Sequence, residues 1–120
     1  MPKKILIVDD EETSRKILGI ALADRGHVLL YAADGEEAVR LAQKELPDLI
    51  VMDIDLPKMN GYEAARQIKA SPGLEAVPVV AITARTVRFS EEMARQAGCD
   101  EYLTKPFRLH YLRERLARFL

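Results

Sequence analysis

Short, unbroken apolar runs alternate along this chain with longer segments of helical spacing, and this alternation limits its fold more than any other feature. The runs are Ile5–Val8, Val28–Ala32, Leu49–Met52 and Val77–Ile82, with a weaker fifth at Tyr102–Leu103. Runs of this length without polar alternation suit strands buried on both faces. Between them, apolar residues recur every three to four positions. The first such segment, Glu12 to Arg25, places Ile17, Leu18, Ala21 and Leu22 on one stripe and meets a stop at Gly26. The second starts at Asp34 with Glu37 three residues on, a capping-box spacing, and Pro47 forbids its continuation. The third starts near Asn60, with Glu63 at the same offset, and ends at Ser71–Pro72. A fourth covers Ser90 to Ala97, with Glu91 and Glu92 in the first turn, where the helix dipole favours acids, and ends at Gly98. The fifth, Arg108 to Leu120, spaces Leu109, Leu112, Leu116 and Leu120 along one face. Strand and helix thus alternate five times, which predicts an α/β fold with a parallel sheet covered by helices on both faces and right-handed crossovers.

The chain has 120 residues, the size of one domain, and the expectation is a single domain over 1–120. With no Trp and few aromatics, the core has to be built from Leu, Ile, Val and Ala. A formal net charge of −1 gives no global reason to bind nucleic acid or an anionic membrane. The apolar run in "MPKKILIV" is far too short for a signal-peptide core or a membrane span, and acids follow it at once. The single cysteine, Cys99, rules out an internal disulfide and reads as a small buried filler rather than a nucleophile. A cytoplasmic protein is expected.

In an open parallel sheet, ligands bind beyond the carboxyl ends of the strands. Beyond the first run stand Asp9 and Asp10; beyond the third, Asp53; beyond the fourth, Thr83; beyond the fifth, Lys105, followed by Pro106. Asp34, beyond the second, is assigned to helix capping. Taken singly, each of these residues has a plain structural use as a turn, a cap or a solvated lysine. Their joint position at strand ends carries the weight. If the four strands are neighbours, three acids, one hydroxyl and one ammonium converge on one edge.

Three gathered acids repel, and one lysine leaves the group negative. A hard divalent cation restores the balance, and Mg²⁺ takes oxygen ligands from one or two carboxylates while keeping several waters. No Cys or His stands among these positions, so zinc does not fit. Such an ion beside a carboxylate, a lysine and a hydroxyl makes a phosphoryl-transfer site, with Asp53 as the nucleophile at the end of a rigid strand. Mg²⁺, Lys105 and Thr83 would each take one phosphoryl oxygen.

"ILIVDDEE", "PDLIVMDIDLPKMNGYE", "PVVAITA" and "GCDEYLTKPF" resemble, in order and over essentially the whole chain, the motifs of the receiver domain of bacterial two-component response regulators. The resemblance implies a flavodoxin-like, doubly wound sheet of strand order 2-1-3-4-5 with five helices. It implies a phosphorylation-dependent signalling switch rather than a dedicated enzyme. Asp53 would be the phosphoacceptor, taking its phosphoryl group from a phosphohistidine of a histidine kinase or histidine phosphotransfer domain. Asp10 would contact Mg²⁺ directly, Asp9 mainly through water, and the Asp55 backbone carbonyl would complete the metal's protein ligands. Thr83 and Lys105 would bind the phosphoryl group, and Tyr102 would be the switch aromatic that turns inward as Thr83 moves. The Lys105–Pro106 bond is expected to be cis, and small Ala84 would leave a path for the phosphodonor. Helix four, strand five and helix five would carry the change to a downstream protein partner, over a face including Arg95, Arg108, Tyr111 and Arg115. The tail most resembles single-domain cell-cycle regulators and the receivers of hybrid kinases.

The alternative from another class is a Mg²⁺-dependent aspartyl-nucleophile phosphatase of the haloacid dehalogenase type, for which Asp53-Ile54-Asp55 has the spacing. That type would place its D-x-D after the first strand, and no cap domain fits this length. A flavin-binding module of the same fold would need a phosphate loop where "DDEE" stands. Asp55 and Arg85 are further expected to form an ion pair over the phosphoryl group that hinders hydrolytic water, against the alternative that both are solvated.

Overall fold

Five strands form one parallel sheet in the order β2-β1-β3-β4-β5. They are β1 (Lys4–Val8), β2 (Val28–Ala32), β3 (Leu49–Asp53), β4 (Val79–Thr83) and β5 (Glu101–Thr104). The helices between and after them are α1 (Glu12–Leu22), α2 (Gly35–Glu45), α3 (Gly61–Lys69), α4 (Ser90–Gln96) and α5 (Leu109–Leu116), with a 3-10 turn over Ala117–Phe119. The structure is a computed structural model and describes residues 2–23, 26–84, 90–106 and 108–120. Arg25, the expected end of the first helix, and Arg85, the expected partner of Asp55, lie outside the described residues. The expected fold class and strand order are those observed.

Each central strand divides its apolar residues between the two faces, as its pleat requires. Ile5, Ile7, Leu49, Val51, Val80 and Ile82 join Leu18, Ala21 and Leu22 of α1 and Leu112 and Leu116 of α5 in one cluster. Leu6, Val8, Ile50, Met52, Val79 and Ala81 join Ala38, Val39 and Ala42 of α2, Tyr62, Ala64, Ala65 and Ile68 of α3, and Ala94 of α4 in the other. The sheet therefore lies between two cores, and β3 and β4 are buried throughout. Edge strand β2 differs: Val28 and Tyr31 are exposed.

Two helices differ from the stripes read in the sequence. In α1, Ile17 is 45% exposed while Leu18, Ala21 and Leu22 are buried. In α5, Leu112 and Leu116 are fully buried, but Leu109 is exposed and the α-helix stops at Leu116. Each helix touches the sheet along a strip narrower than its apolar stripe, so the outermost apolar residue of the stripe stays in solvent.

The caps follow the sequence more closely. Asp34 accepts from the Glu37 N–H at 2.8 Å, and Glu37 reaches back to the N–H of Ala33 at 2.7 Å, one residue earlier than a standard capping box. Asn60 accepts from the Glu63 N–H at 3.0 Å. Gly98, at φ 94°, ends α4 in the left-handed region.

Candidate functional site

Strand register brings the acids together. Val8 pairs with Met52, so one step further along, Asp9 and Asp53 stand side by side at the tips of β1 and β3. Backbone hydrogen bonds continue past the strand ends and hold these tips: Asp9 N–H donates to the Ala32 carbonyl, Ile54 N–H to that of Ile82, and Lys105 N–H to that of Thr83 at 2.8 Å. The site thus rests on sheet hydrogen bonding rather than on free loop ends, which gives a reacting group a fixed position.

Asp9 and Asp53 are buried, Asp10 is exposed, and carboxylate oxygens of all three lie within 4.8 Å of one another. The Lys105 ammonium donates to Asp9 Oδ2 at 2.8 Å and to Asp53 Oδ2 at 3.1 Å. The remaining oxygens of these carboxylates are oriented by backbone: Asp9 Oδ1 accepts from the Glu11 N–H at 3.0 Å, and Asp53 Oδ1 from the Asp55 N–H at 2.9 Å. Thr83, buried at the tip of β4, donates its hydroxyl to Asp55 Oδ2 at 3.4 Å. Tyr102 lies in β5, half-buried, beside Ala81 in register and against the α2–α3–α4 core. The Lys105–Pro106 bond is cis, as expected. Asp9, Asp10, Asp53, Asp55, Thr83 and Lys105 therefore meet at one end of the sheet.

The electrostatics follow from this crowding. Burial raises the Asp53 carboxyl above its ordinary value, and the Asp9 charge adds to the rise. The Asp55 N–H and Lys105 oppose it without cancelling it. Burial alone would lower Lys105, but its hydrogen bond to Asp9 and the charges of Asp53 and Asp9 hold its ammonium above the ordinary lysine value. The two directions agree once the stoichiometry is counted: one ammonium serves two buried carboxylates, so the lysine is over-compensated and Asp53 under-compensated. An all-oxygen donor set with surplus negative charge suits a hard divalent cation such as Mg²⁺, and among these donors there is no nitrogen or sulfur ligand that would favour zinc.

Two contributors escape the sequence reading. Arg15, on α1, donates from Nη1 to the Asp9 backbone carbonyl at 2.7 Å and places a positive charge behind the cluster. Its only sequence signal is its place one turn into the helix that follows Asp9–Asp10. Gly35 packs against the loop after β3; a close approach of backbones leaves no side-chain pattern to read.

Beside Lys105 opens a mainly apolar cavity of about 530 Å³ lined by Ser14, Ile17, Leu18, Ala84, Lys105 and Pro106. Arg115 of α5 binds Glu101 of β5 through two guanidinium nitrogens, and its Nη1 donates to the Tyr111 hydroxyl at 2.7 Å. Arg95 pairs with Glu92 at 3.4 Å, and Arg108 is exposed. Among the described residues, no helix is long and apolar enough to cross a membrane.

The family model for the response regulator receiver domain matches residues 5–117. The polar-differentiation response regulator DivK of Brucella anthropi is 36% identical over 120 residues, covering 100% of this chain and 98% of DivK. The alkaline phosphatase synthesis transcriptional regulatory protein PhoP of Bacillus subtilis is 41% identical over 107 residues, which are 89% of this chain but 44% of PhoP. Among solved structures, the chemotaxis response regulator CheY4 of Vibrio cholerae superposes with a TM-score of 0.92 at 31% identity, covering 100% of both chains. The receiver domain of the sensor histidine kinase PA1611 of Pseudomonas aeruginosa, solved with a magnesium ion coordinated in its active-site cleft, superposes with a TM-score of 0.89 at 35% identity, covering 99% of this chain and 98% of that one.

Proposed function

Because the chain belongs to the response regulator receiver family, a family of signalling proteins rather than dedicated enzymes, we propose that it is a phosphorylation-dependent switch with Asp53 as the phosphoacceptor. The observation that carries this reading is the Lys105 ammonium bridging Asp9 and Asp53, with Asp10 within the same few ångströms. The phosphoryl group would come from a phosphohistidine on a histidine kinase or a histidine phosphotransfer domain. An Asp53 carboxylate oxygen forms the new bond to phosphorus as the phosphorus–nitrogen bond of the donor breaks, and the imidazole leaves with the electron pair and takes up a proton. Asp9, Asp10, Asp53 and the Asp55 backbone carbonyl would hold Mg²⁺, which when bound neutralises carboxylate charge and polarises the phosphoryl oxygens.

The chain's own residues do the rest. The Asp55 N–H fixes the rotation of the Asp53 carboxylate, and Lys105 stands ready to take a phosphoryl oxygen. Thr83 exchanges its hydrogen bond to Asp55 for one to the phosphoryl group. The new group adds roughly −1.5 to −2 charges. Tyr102 turns inward as Thr83 moves, and the face of α4, β5 and α5 with Arg95, Arg108, Tyr111 and Arg115 presents the change to a downstream protein. The apolar cavity flanked by Ala84 and Lys105 gives a phosphodonor its approach. We further read the protein as one domain over 1–120, cytoplasmic, without direct nucleic-acid or membrane binding, and turning over no phosphate but its own. The phosphatase alternative gains no support: Asp53-Ile54-Asp55 stands at the end of β3, not after the first strand, where Asp9 and Asp10 stand.

Incubation with acetyl phosphate and Mg²⁺, followed by intact mass, tests the assignment. A gain of one phosphoryl group, lost in Asp53→Asn and in EDTA, is expected. Labelling that persists in Asp53→Asn overturns the choice of residue, and catalytic release of phosphate from simple esters overturns the switch.

A further inference from the structure

The loop from Ile54 to Asn60 is gripped from both sides by glycines. A methyl group on Gly61 would lie 2.6 Å from the Asp53 carbonyl oxygen and 2.7 Å from Ile54 Cα. A methyl group on Gly35, the first residue of α2, would lie 2.1 Å from the Met59 carbonyl oxygen and 2.8 Å from Met59 Cβ. Both obstacles include backbone, which no rotamer change can move aside. A second tie joins the same elements: Lys58, at φ 66° in the left-handed region, reaches Asp34 Oδ2 at 3.6 Å. The loop cannot absorb a push freely, because the Ile54 carbonyl accepts from both the Leu56 N–H and the Gly61 N–H and closes it into a ring. That ring contains Asp55, whose N–H orients Asp53 Oδ1.

We infer that the β2–α2 corner, Asp34 and Gly35, is a positioning element for the phosphoacceptor: it seats the loop after β3 through Met59 and Lys58 and thereby sets the Asp55 backbone and the rotation of the Asp53 carboxylate. This rests on the assignment of Asp53 and Asp55 to the phosphoryl and metal site. Neither Asp34 nor Gly35 touches the reacting atoms. The corner acts by excluding any other position for the Met59 carbonyl.

Calorimetric titration with Mg²⁺ alone, paired with urea unfolding, tests it on wild type, Gly35→Ala, Lys58→Gly and Gly19→Ala. Gly35→Ala is expected to weaken Mg²⁺ binding about tenfold or more, the range seen when groups behind metal ligands are altered. Lys58→Gly relieves a left-handed non-glycine residue, so its unfolding midpoint should hold or rise while Mg²⁺ binding weakens. A purely structural role would not separate the two readouts in that way. Gly19→Ala, whose methyl group would meet only the end of the Tyr31 side chain at 2.5 Å, should bind Mg²⁺ as wild type does. Wild-type affinity in a folded Gly35→Ala overturns the inference. Should that variant not fold, wild-type affinity in Lys58→Gly overturns it instead. A wild-type protein that binds no Mg²⁺ and takes no phosphoryl group removes the site assignment itself, an outcome distinct from either.

Discussion

Burial holds the Asp53 carboxyl above its ordinary value, and Lys105, which divides its hydrogen bonds between two buried carboxylates, offsets only part of that rise, while the two acids together hold Lys105 above its own. A buried carboxylate keeps its charge only where donors surround it; Asp53 has one backbone N–H and a share of one ammonium. Cys99 offers a contrast. Burial, reinforced by the neighbouring Asp100 charge, pushes its thiol up to about 11. The thiolate is the reactive form, and its loss is partly offset by the greater nucleophilicity of a higher-pKa thiol, so at pH 8 native protein should react with a disulfide reagent about tenfold more slowly than the same protein in urea. Equal rates in the two states, followed by absorbance of the released thiol, would show that Cys99 is not shielded.

At the scale of elements, α2 depends on its N-cap residue, Asp34. The Glu37 N–H holds the Asp34 carboxyl below the usual carboxylate range, with Lys58 contributing less. A carboxyl depressed by folding contributes stability that is fully present above its unfolded value, near ~3.9, and is lost as pH falls through the lower folded value. Asp34→Ala should therefore cost about 1 kcal/mol at neutral pH, and the gap to wild type should shrink as pH drops below about 4. Urea unfolding across that range measures both. Helix α5 supplies a second comparison. Leu112→Ala should cost about 2–5 kcal/mol, whereas Leu109→Ala, at an exposed position, should stay within about 0.5 kcal/mol. The sequence made the two leucines look alike. A period of 3.6 residues marks which residues share a stripe, but the width of the strip that reaches the sheet depends on how the helix crosses it, and Ile17 and Leu109 fall outside that strip. The strands were easier to read, because β1, β3 and β4 are buried on both faces and need no polar alternation. The same property exposed the site: a charged or hydroxyl residue directly after an all-apolar run has few places to go but the sheet's end, as Asp9, Asp53 and Thr83 do. Arg15 and Gly35 escaped because their work is done on backbone atoms, which leave no side-chain pattern in the sequence.

Across the whole molecule, the two cores hold the sheet from either side and leave the carboxyl ends of its strands crowded with negative charge. A cation bound there should stabilise the entire fold by mass action. At a hundredfold excess over its dissociation constant, Mg²⁺ should add about 2.7 kcal/mol to the unfolding free energy. EDTA should reverse this, and Asp10→Ala should abolish most of it; thermal melts with and without the metal provide the check. The order of the strands gives Lys105 a further importance. It follows β5, which pairs only with β4 among the described strands, yet its ammonium meets Asp9, which follows β1, three strands over. The segment after β5 and this side chain together form a strap over the rim of the sheet, from one border to its middle. Whatever lands on Asp53 tugs on that strap, and the border strand, anchored along one flank alone, is where the tug is felt.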